Sequence, residues 1–267
     1  MKPSGVITLT TDFGHKGPFS AVMQGVIIGR FPEARIIDLA HDIPAQWPPE
    51  AGFWVSRSYQ YFPRGTVHLA IVDPGVGTER DILIVEYDHH IFMAPDNGLL
   101  ARMLDGADQA SVFNLDLDAL PRLNIPTPSM TFHGRDIFAP IAAELAAGST
   151  TPAAIGIPVS EWIPAWLDEP DVSAGKVSGV IVTVDAFGNL ISNIDAKLIE
   201  EFRQPTVHVA GHDIEILATY GRAKPGDYLA LINSFGVLEV AKAESSAANG
   251  LGTDRGAPIT VTDGVQT

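Results

Sequence analysis

The chain has 267 residues, 46% of them hydrophobic and 18% charged, which supplies a core for one large or two modest domains and excludes a disordered chain. Against 17 basic residues stand 32 acidic ones, and the formal net charge of −15 opposes steering toward a phosphate backbone, so no nucleic-acid partner is expected. Cysteine is absent, which removes disulfides, thiolate metal sites and cysteine nucleophiles together.

The segment Gly5 to Thr11 is β-branched and apolar, predicts a strand, and ends in the polar turn Asp12-Phe13-Gly14 before a helical pattern from Phe19 to Phe31. Its apolar run from Val6 to Leu9 is too short for a signal-peptide core, and no stretch approaches the ~20 apolar residues of a membrane span. A cytoplasmic protein without a membrane partner is therefore expected. Arg35 to Leu39 reads as a strand, Pro49 to Tyr61 as a helix, and Thr66 to Val72, Leu83 to Glu86 and Ile91 to Ala94 as strands, with His89 and His90 on a hairpin. Helices follow at Gly98 to Leu104 and Ile137 to Ala147. This alternation predicts an α/β domain with a mostly parallel sheet, whose ligands sit beyond the carboxyl ends of the strands.

Pro152, Pro158, Pro164 and Pro170 punctuate a stretch with little periodicity, read as a linker, and the boundary is placed near Ser173, giving domains 1–172 and 173–267. Beyond it come short strands: Val177 to Val184, Leu190 to Ile194, Thr206 to Val209, Ile214 to Leu217, Tyr228 to Ile232, Val237 to Ala241 and Pro258 to Val261. Ala210-Gly211-His212 marks a hairpin turn, and Ala196 to Phe202 is the single helix expected there. The second domain is expected to be a small antiparallel β-barrel or sandwich.

Four segments carry candidate chemistry. Asp12, at the end of the first strand, is placed to accept from ribose hydroxyls, although a helix-capping or turn carboxylate has the same pattern. In Val72-Asp73-Pro74-Gly75-Val76-Gly77-Thr78-Glu79-Arg80, two glycines permit a tight loop that brings Asp73 and Arg80 into reach, for chemistry or as a structural ion pair. The Gly-Lys-Ser/Thr ending of a phosphate loop is missing. In Thr131-Phe132-His133-Gly134-Arg135-Asp136, His133 and the Gly134 amide precede a helix, whose end offers N–H donors and disfavours imidazolium, leaving a neutral histidine able to accept a proton. Finally, Asp185 and Asn189 in one turn, and Asn233 and Ser234 in another, offer groups for a purine edge or an amino-acid head group, or ordinary turn chemistry. From the residues alone the reading is an α/β enzyme with a polar interdomain site.

Together TTDFG (Thr10 to Gly14), VDPGVGTER (Val72 to Arg80), APDNGLL (Ala94 to Leu100), TFHGRDIFAP (Thr131 to Pro140), DAFGN (Asp185 to Asn189) and INSFG (Ile232 to Gly236) resemble the S-adenosylmethionine hydroxide adenosyltransferases, relatives of the 5′-fluorinase and 5′-chlorinase enzymes. The resemblance implies cleavage of S-adenosyl-L-methionine by water or hydroxide at C5′, giving adenosine and L-methionine, with no metal or cofactor. It implies a homotrimer, each substrate site lying between one subunit's amino-terminal domain and a neighbour's carboxyl-terminal domain. It assigns Asp73, Arg80 and His133 to water activation, Asp12 to the ribose hydroxyls, Asn189 to adenine, and Asp185 and Ser234 to the methionine amino and carboxylate groups, while the Gly134 amide donates to the oxygen. Two positions depart from the pattern near the methionine end: Gly17, where many relatives have Asp, and Phe235, where the halogenases have Arg. The alternatives are a 5′-halogenase, which the retention of Asp73 and His133 disfavours, and a non-catalytic S-adenosylmethionine or nucleoside sensor.

Overall fold

The computed structural model describes residues 1–105 and 107–264. The chain divides into two compact units, Met1–Trp166 and a second that starts at Leu167. In the first, β1 (Val6–Thr11), α1 (Phe19–Arg30), β2 (Arg35–Ala40), α2 (Pro48–Ser58) and β3 (Val67–Ile71) follow the predicted alternation. Then come β4 (Ile82–Tyr87), β5 (His90–Pro95), the single turn α3 (Ala101–Leu104), β6 (Ser111–Leu115), α4 (Ala139–Ala147), α5 (Pro152–Ile155) and β7 (Gly156–Pro158).

These strands form one sheet in the order β2-β1-β3-β5-β4-β6-β7. The β2–β1, β1–β3 and β3–β5 pairs are parallel, whereas β5–β4, β4–β6 and β6–β7 are antiparallel. The sheet is therefore mixed, and the expectation of a mostly parallel one holds only on the side carrying β1 and β3. The reason is local: Asp88 and His89 both take left-handed φ values of 44° and 64°, the two-residue turn that reverses a chain, and a parallel pair needs a long crossover instead. Two of the four prolines read as a linker lie in elements instead, since Pro152 opens α5, where its missing N–H costs nothing, and Pro158 ends the edge strand β7.

Helices cover both faces of the sheet, which is why β1 is buried along its whole length. On one face Ile7, Leu9 and Leu69 pack with Met23 and Ile27 of α1 and Ile141 of α4; on the other Ala70 and Phe92 pack with Ala51 and Val55 of α2. Each large side chain so removed from water contributes about 1.5–3 kcal/mol. The helix α4 is apolar on nearly every side and ends at Gly148, whose φ of 73° provides the left-handed cap.

β3 also carries a buried polar group. His68 is 1% exposed, with Nδ1 2.8 Å from Thr8 Oγ1, Nε2 3.1 Å from His90 Nδ1, and its ring stacked on Phe92 at 4.9 Å. Burial, helped by His90, lowers its pKa from 6.5 to about 3. In the unfolded chain the group protonates below pH 6.5 while the folded one stays neutral, so acid favours unfolding throughout that window. Stability is expected to fall by about 1.4 kcal/mol per pH unit for this site once the pH drops below about 6. Urea midpoints at pH 6.5, 5.5 and 4.5 measure this, and a flat series would contradict it.

The second unit contains β8 (Asp171–Ser173), β9 (Lys176–Val184), β10 (Leu190–Asp195), β11 (Pro205–Val209), β12 (His212–Glu215), β13 (Tyr228–Ile232), β14 (Val237–Lys242), α6 (Ala247–Leu251) and β15 (Pro258–Asp263). Its antiparallel path runs β12-β11-β15-β9-β10-β14-β13, and a bridge between Ile216 and Ala230 joins the two ends into a nearly closed barrel. Inward residues such as Val177, Ile181, Val207 and Val240 fill it. Ala210 and Gly211, both at positive φ, make the expected β11–β12 turn. The helix expected over Ala196 to Phe202 is only a 3-10 turn at Ala196–Leu198. Conversely α6 was not expected, because five residues offer no periodicity, although Ser246 caps it through Oγ and Gly252 ends it at a φ of 61°.

Candidate active site

β1 and β3 are parallel neighbours with Thr11 opposite Ile71, so the residues that follow them, Asp12 and Asp73, stand at the same edge of the sheet. Asp12 does not cap the next helix, which begins at Phe19. Instead its Oδ2 accepts a hydrogen bond of 2.9 Å from the Gln46 N–H, and Gln46 adopts a left-handed φ of 60°. That conformation costs a non-glycine residue about 1 kcal/mol or more, and such strain gathers where a binding surface is shaped.

The loop after Asp73 depends on Gly77, whose φ is 79° and where a Cβ would lie 2.1 Å from the Met130 carbonyl oxygen. Only glycine lets this loop close on the segment that leads to His133. Asp136 secures that segment by accepting from the Ser129 N–H at 2.9 Å and the Ser129 hydroxyl at 2.6 Å. His133 precedes a π-helical turn, Gly134–Phe138, that runs into α4; the Arg135 and Asp136 N–H groups of this turn donate to the Phe132 carbonyl at 3.2 and 3.1 Å, and the Gly134 amide stands ahead of them at its start.

Arg80 joins the pieces. Its Nε–H donates to both Asp73 oxygens at 3.0 Å, Nη2 donates to Oδ2 as well, and Nη2 also lies 2.9 Å from His133 Nδ1. The Asp73 and Arg80 side chains are only 7% and 11% exposed. A guanidinium only donates, so His133 Nδ1 accepts and the neutral ring carries its hydrogen on Nε2. Burial first, then the Arg80 charge, lower the His133 pKa, against a smaller opposing pull from Asp73 and Asp136. The histidine is thus held neutral but presents a donor, which changes the expectation that it waits to accept a proton.

Asp12, Asp73, His133 and Gly134 line one cavity of about 260 Å³, with Phe13 and Gln46 on its wall. A larger cavity of about 570 Å³ beside the β4–β5 turn is bordered by Glu86, Asp88 and Asp108, and its described lining brings no such ion pair and histidine together. Among the described residues no group of three or more His, Asp or Glu side chains is arranged to hold a metal ion, and no helix is long and apolar enough to cross a membrane.

In the second unit, Asp185 Oδ1 accepts from the Phe187 and Asn189 N–H groups at 2.9 Å, and Oδ2 accepts from Asn189 Nδ2 at 3.1 Å. This satisfies the turn reading, yet Asp185 and Asn189 also line a cavity of about 590 Å³ with Tyr220 and with Phe187, which is 79% exposed. Ser234 is exposed in the β13–β14 loop and is not among that cavity's described lining residues. The loop is braced by buried Glu239, whose carboxylate accepts from Asn233 Nδ2 at 3.1 Å and from the Tyr220 hydroxyl at 2.6 Å.

Residues 7–156 match the model of the SAM hydroxide adenosyltransferase amino-terminal domain, and residues 179–260 match that of the carboxyl-terminal domain. The chain belongs to this family. It is 35% identical over 260 residues to a (R)-S-adenosyl-L-methionine hydrolase of Thermus thermophilus, covering 93% of this chain and 96% of the relative. A crystal structure of an uncharacterized conserved protein from Thermotoga maritima superposes with a TM-score of 0.86 at 31% identity, over 96% of this chain and 99% of that one. A fluorinase of Nocardia brasiliensis is more distant, at 22% identity over 91% of this chain and 92% of the relative.

Within this hydroxide adenosyltransferase chain, TTDFG, VDPGVGTER and TFHGRDIFAP contribute the cavity of the first unit. APDNGLL acts behind it: Asn97 Nδ2 donates to the Val72 carbonyl at 2.8 Å, directly before Asp73. Sequence reasoning passed over Asn97, Gln46, Glu239 and His41. Only Asn97 lay inside a recognised motif, while the other three are singled out by strain or burial, which no spacing reveals.

Proposed function

We propose that this chain cleaves S-adenosyl-L-methionine by attack of water or hydroxide at C5′, giving adenosine and L-methionine. The observation that carries the reading is the buried Asp73–Arg80–His133 cluster in a cavity shared with Asp12. Asp12 accepts from the ribose hydroxyls and so points C5′ at the cluster. Because His133 already bears a hydrogen on Nε2, the water gives its proton to Asp73, while the ring and the Gly134 amide donate to the oxygen. Arg80 orients Asp73 and holds the histidine tautomer. The sulfonium departs as neutral methionine, so the leaving group needs no acid, and the chemistry calls for no metal or cofactor.

In the second unit Asn189 reads adenine, and Asp185 and Ser234 hold the methionine amino and carboxylate groups. This assignment goes with a homotrimer in which a neighbour's carboxyl-terminal unit completes each site, in a cytoplasmic protein without nucleic-acid or membrane partners. The hydrolase name of the Thermus relative and the greater distance of the fluorinase support hydrolysis over halogenation.

In water enriched in oxygen-18, the adenosine formed is expected to carry the label at its 5′ hydroxyl, with methionine in equal amount, and added chloride or fluoride leaves the product unchanged. Accumulation of a 5′-halo-adenosine in place of adenosine would establish the halogenase. Binding without any product would establish a sensor.

A further inference from the structure

The mechanism leaves unused a buried histidine directly behind the Asp12 turn. His41 is 2% exposed, and its Nδ1 lies 2.8 Å from Thr11 Oγ1. That hydroxyl oxygen accepts from the Phe13 N–H at 3.2 Å, while the His41 carbonyl accepts from the Gly14 N–H at 2.8 Å. The residues on both sides of Asp12 are thus tied to this one residue. On its far side His41 Nε2 lies 3.0 Å from Asp38 Oδ1, close enough for strong attraction but off the line of a well-formed hydrogen bond. Gln24 Nε2 donates to the same carboxylate at 2.8 and 3.1 Å.

With its carboxylate 3.0 Å away, Asp38 favours the ring hydrogen on Nε2, and in that tautomer Nδ1 accepts from the Thr11 hydroxyl, leaving that oxygen's lone pairs for the Phe13 amide. In that tautomer the contacts run unbroken from His41 through Thr11 to the Phe13 amide and brace the turn. From the other direction the Gln46 N–H fixes Asp12 Oδ2.

We infer that His41, oriented by Asp38, is a positioning residue that holds the Thr11–Gly14 turn so that the Asp12 carboxylate meets both ribose hydroxyls. The inference rests on the proposed role of Asp12. Its signature is a loss of affinity confined to ligands that carry those hydroxyls, whereas a merely structural residue would weaken all ligands alike.

The test is calorimetric titration of the full-length protein with adenosine and with 2′,3′-dideoxyadenosine. His41→Leu is expected to weaken adenosine by about tenfold, the scale on which partners behind a binding group act, and to leave dideoxyadenosine unchanged. His41→Asn, which keeps a polar atom near Nδ1, recovers most of the loss. Asp38→Asn, at a half-exposed position outside the core, shows the same preference in smaller measure and serves if His41→Leu fails to fold. In turnover, these variants raise KM with little change in kcat. Equal losses for both ligands, or no loss in folded variants, overturn the inference while Asp12→Ala still discriminates the ligands. If Asp12→Ala does not discriminate them, the ribose assignment itself fails and takes this inference with it.

Discussion

Asp73→Asn is expected to slow turnover of S-adenosylmethionine by roughly 100-fold or more with substrate affinity little changed, because the substitution keeps the shape of the side chain and removes the group proposed to take the proton. The amide also disturbs Arg80, since its NH₂ faces a guanidinium that donates through Nε and Nη2, and the turned guanidinium then releases His133 Nδ1. His133→Ala is expected to cost a similar factor. The three residues form one connected unit, so the double variant should lose little more than either single one. Single-turnover kinetics at saturating substrate report this directly. Wild-type rates in both single variants, or fully multiplicative losses in the double one, would break the cluster as the source of the nucleophile.

The second large effect is on binding. Asp12→Ala is expected to weaken adenosine and S-adenosylmethionine by about 2–4 kcal/mol, since in its proposed role this partly buried carboxylate accepts charge-assisted bonds from two hydroxyls. The truncation also releases the Gln46 N–H, so the strained φ of 60° loses the contact that holds it. Calorimetric titration gives the size of the loss, and a circular dichroism spectrum matching that of the parent excludes unfolding as its cause. Unchanged affinity in a folded variant would remove Asp12 from the site.

Much of this site was legible in the sequence because its charged members lie inside motifs that end strands or open a helix. Asp12, Asp73 and His133 each sit where periodicity stops, and the glycines between Asp73 and Arg80 announced a loop tight enough for the two to meet. What spacing does not carry is direction. That His133 accepts through Nδ1 depends on which edge of the ring meets Arg80, and the two come together where Gly77 passes close to Met130, segments distant in sequence. The fold shows the same division. The core strands were readable from their apolar runs, whereas β6 and the short edge strand β7 went unrecognised because their pairing is fixed by neighbours, and the mixed sheet followed from a two-residue turn that competes with a pattern of alternation. His41 escaped notice because a lone histidine after a strand looks like any other until its burial and its bond to Thr11 are seen.

The side-by-side origin of Asp12 and Asp73 has a further meaning for substrate scope. Neighbouring strands are held about 4.8 Å apart by their backbone hydrogen bonds, and Thr11 opposite Ile71 fixes how far each has advanced. On the roles proposed for Asp12 and Asp73, the grip on the sugar and the source of the attacking oxygen therefore start from backbone positions that the strand pairing holds in register. The substituents on sulfur lie outside that pairing, so on the proposed roles altered sugars are expected to be tolerated less than altered leaving groups.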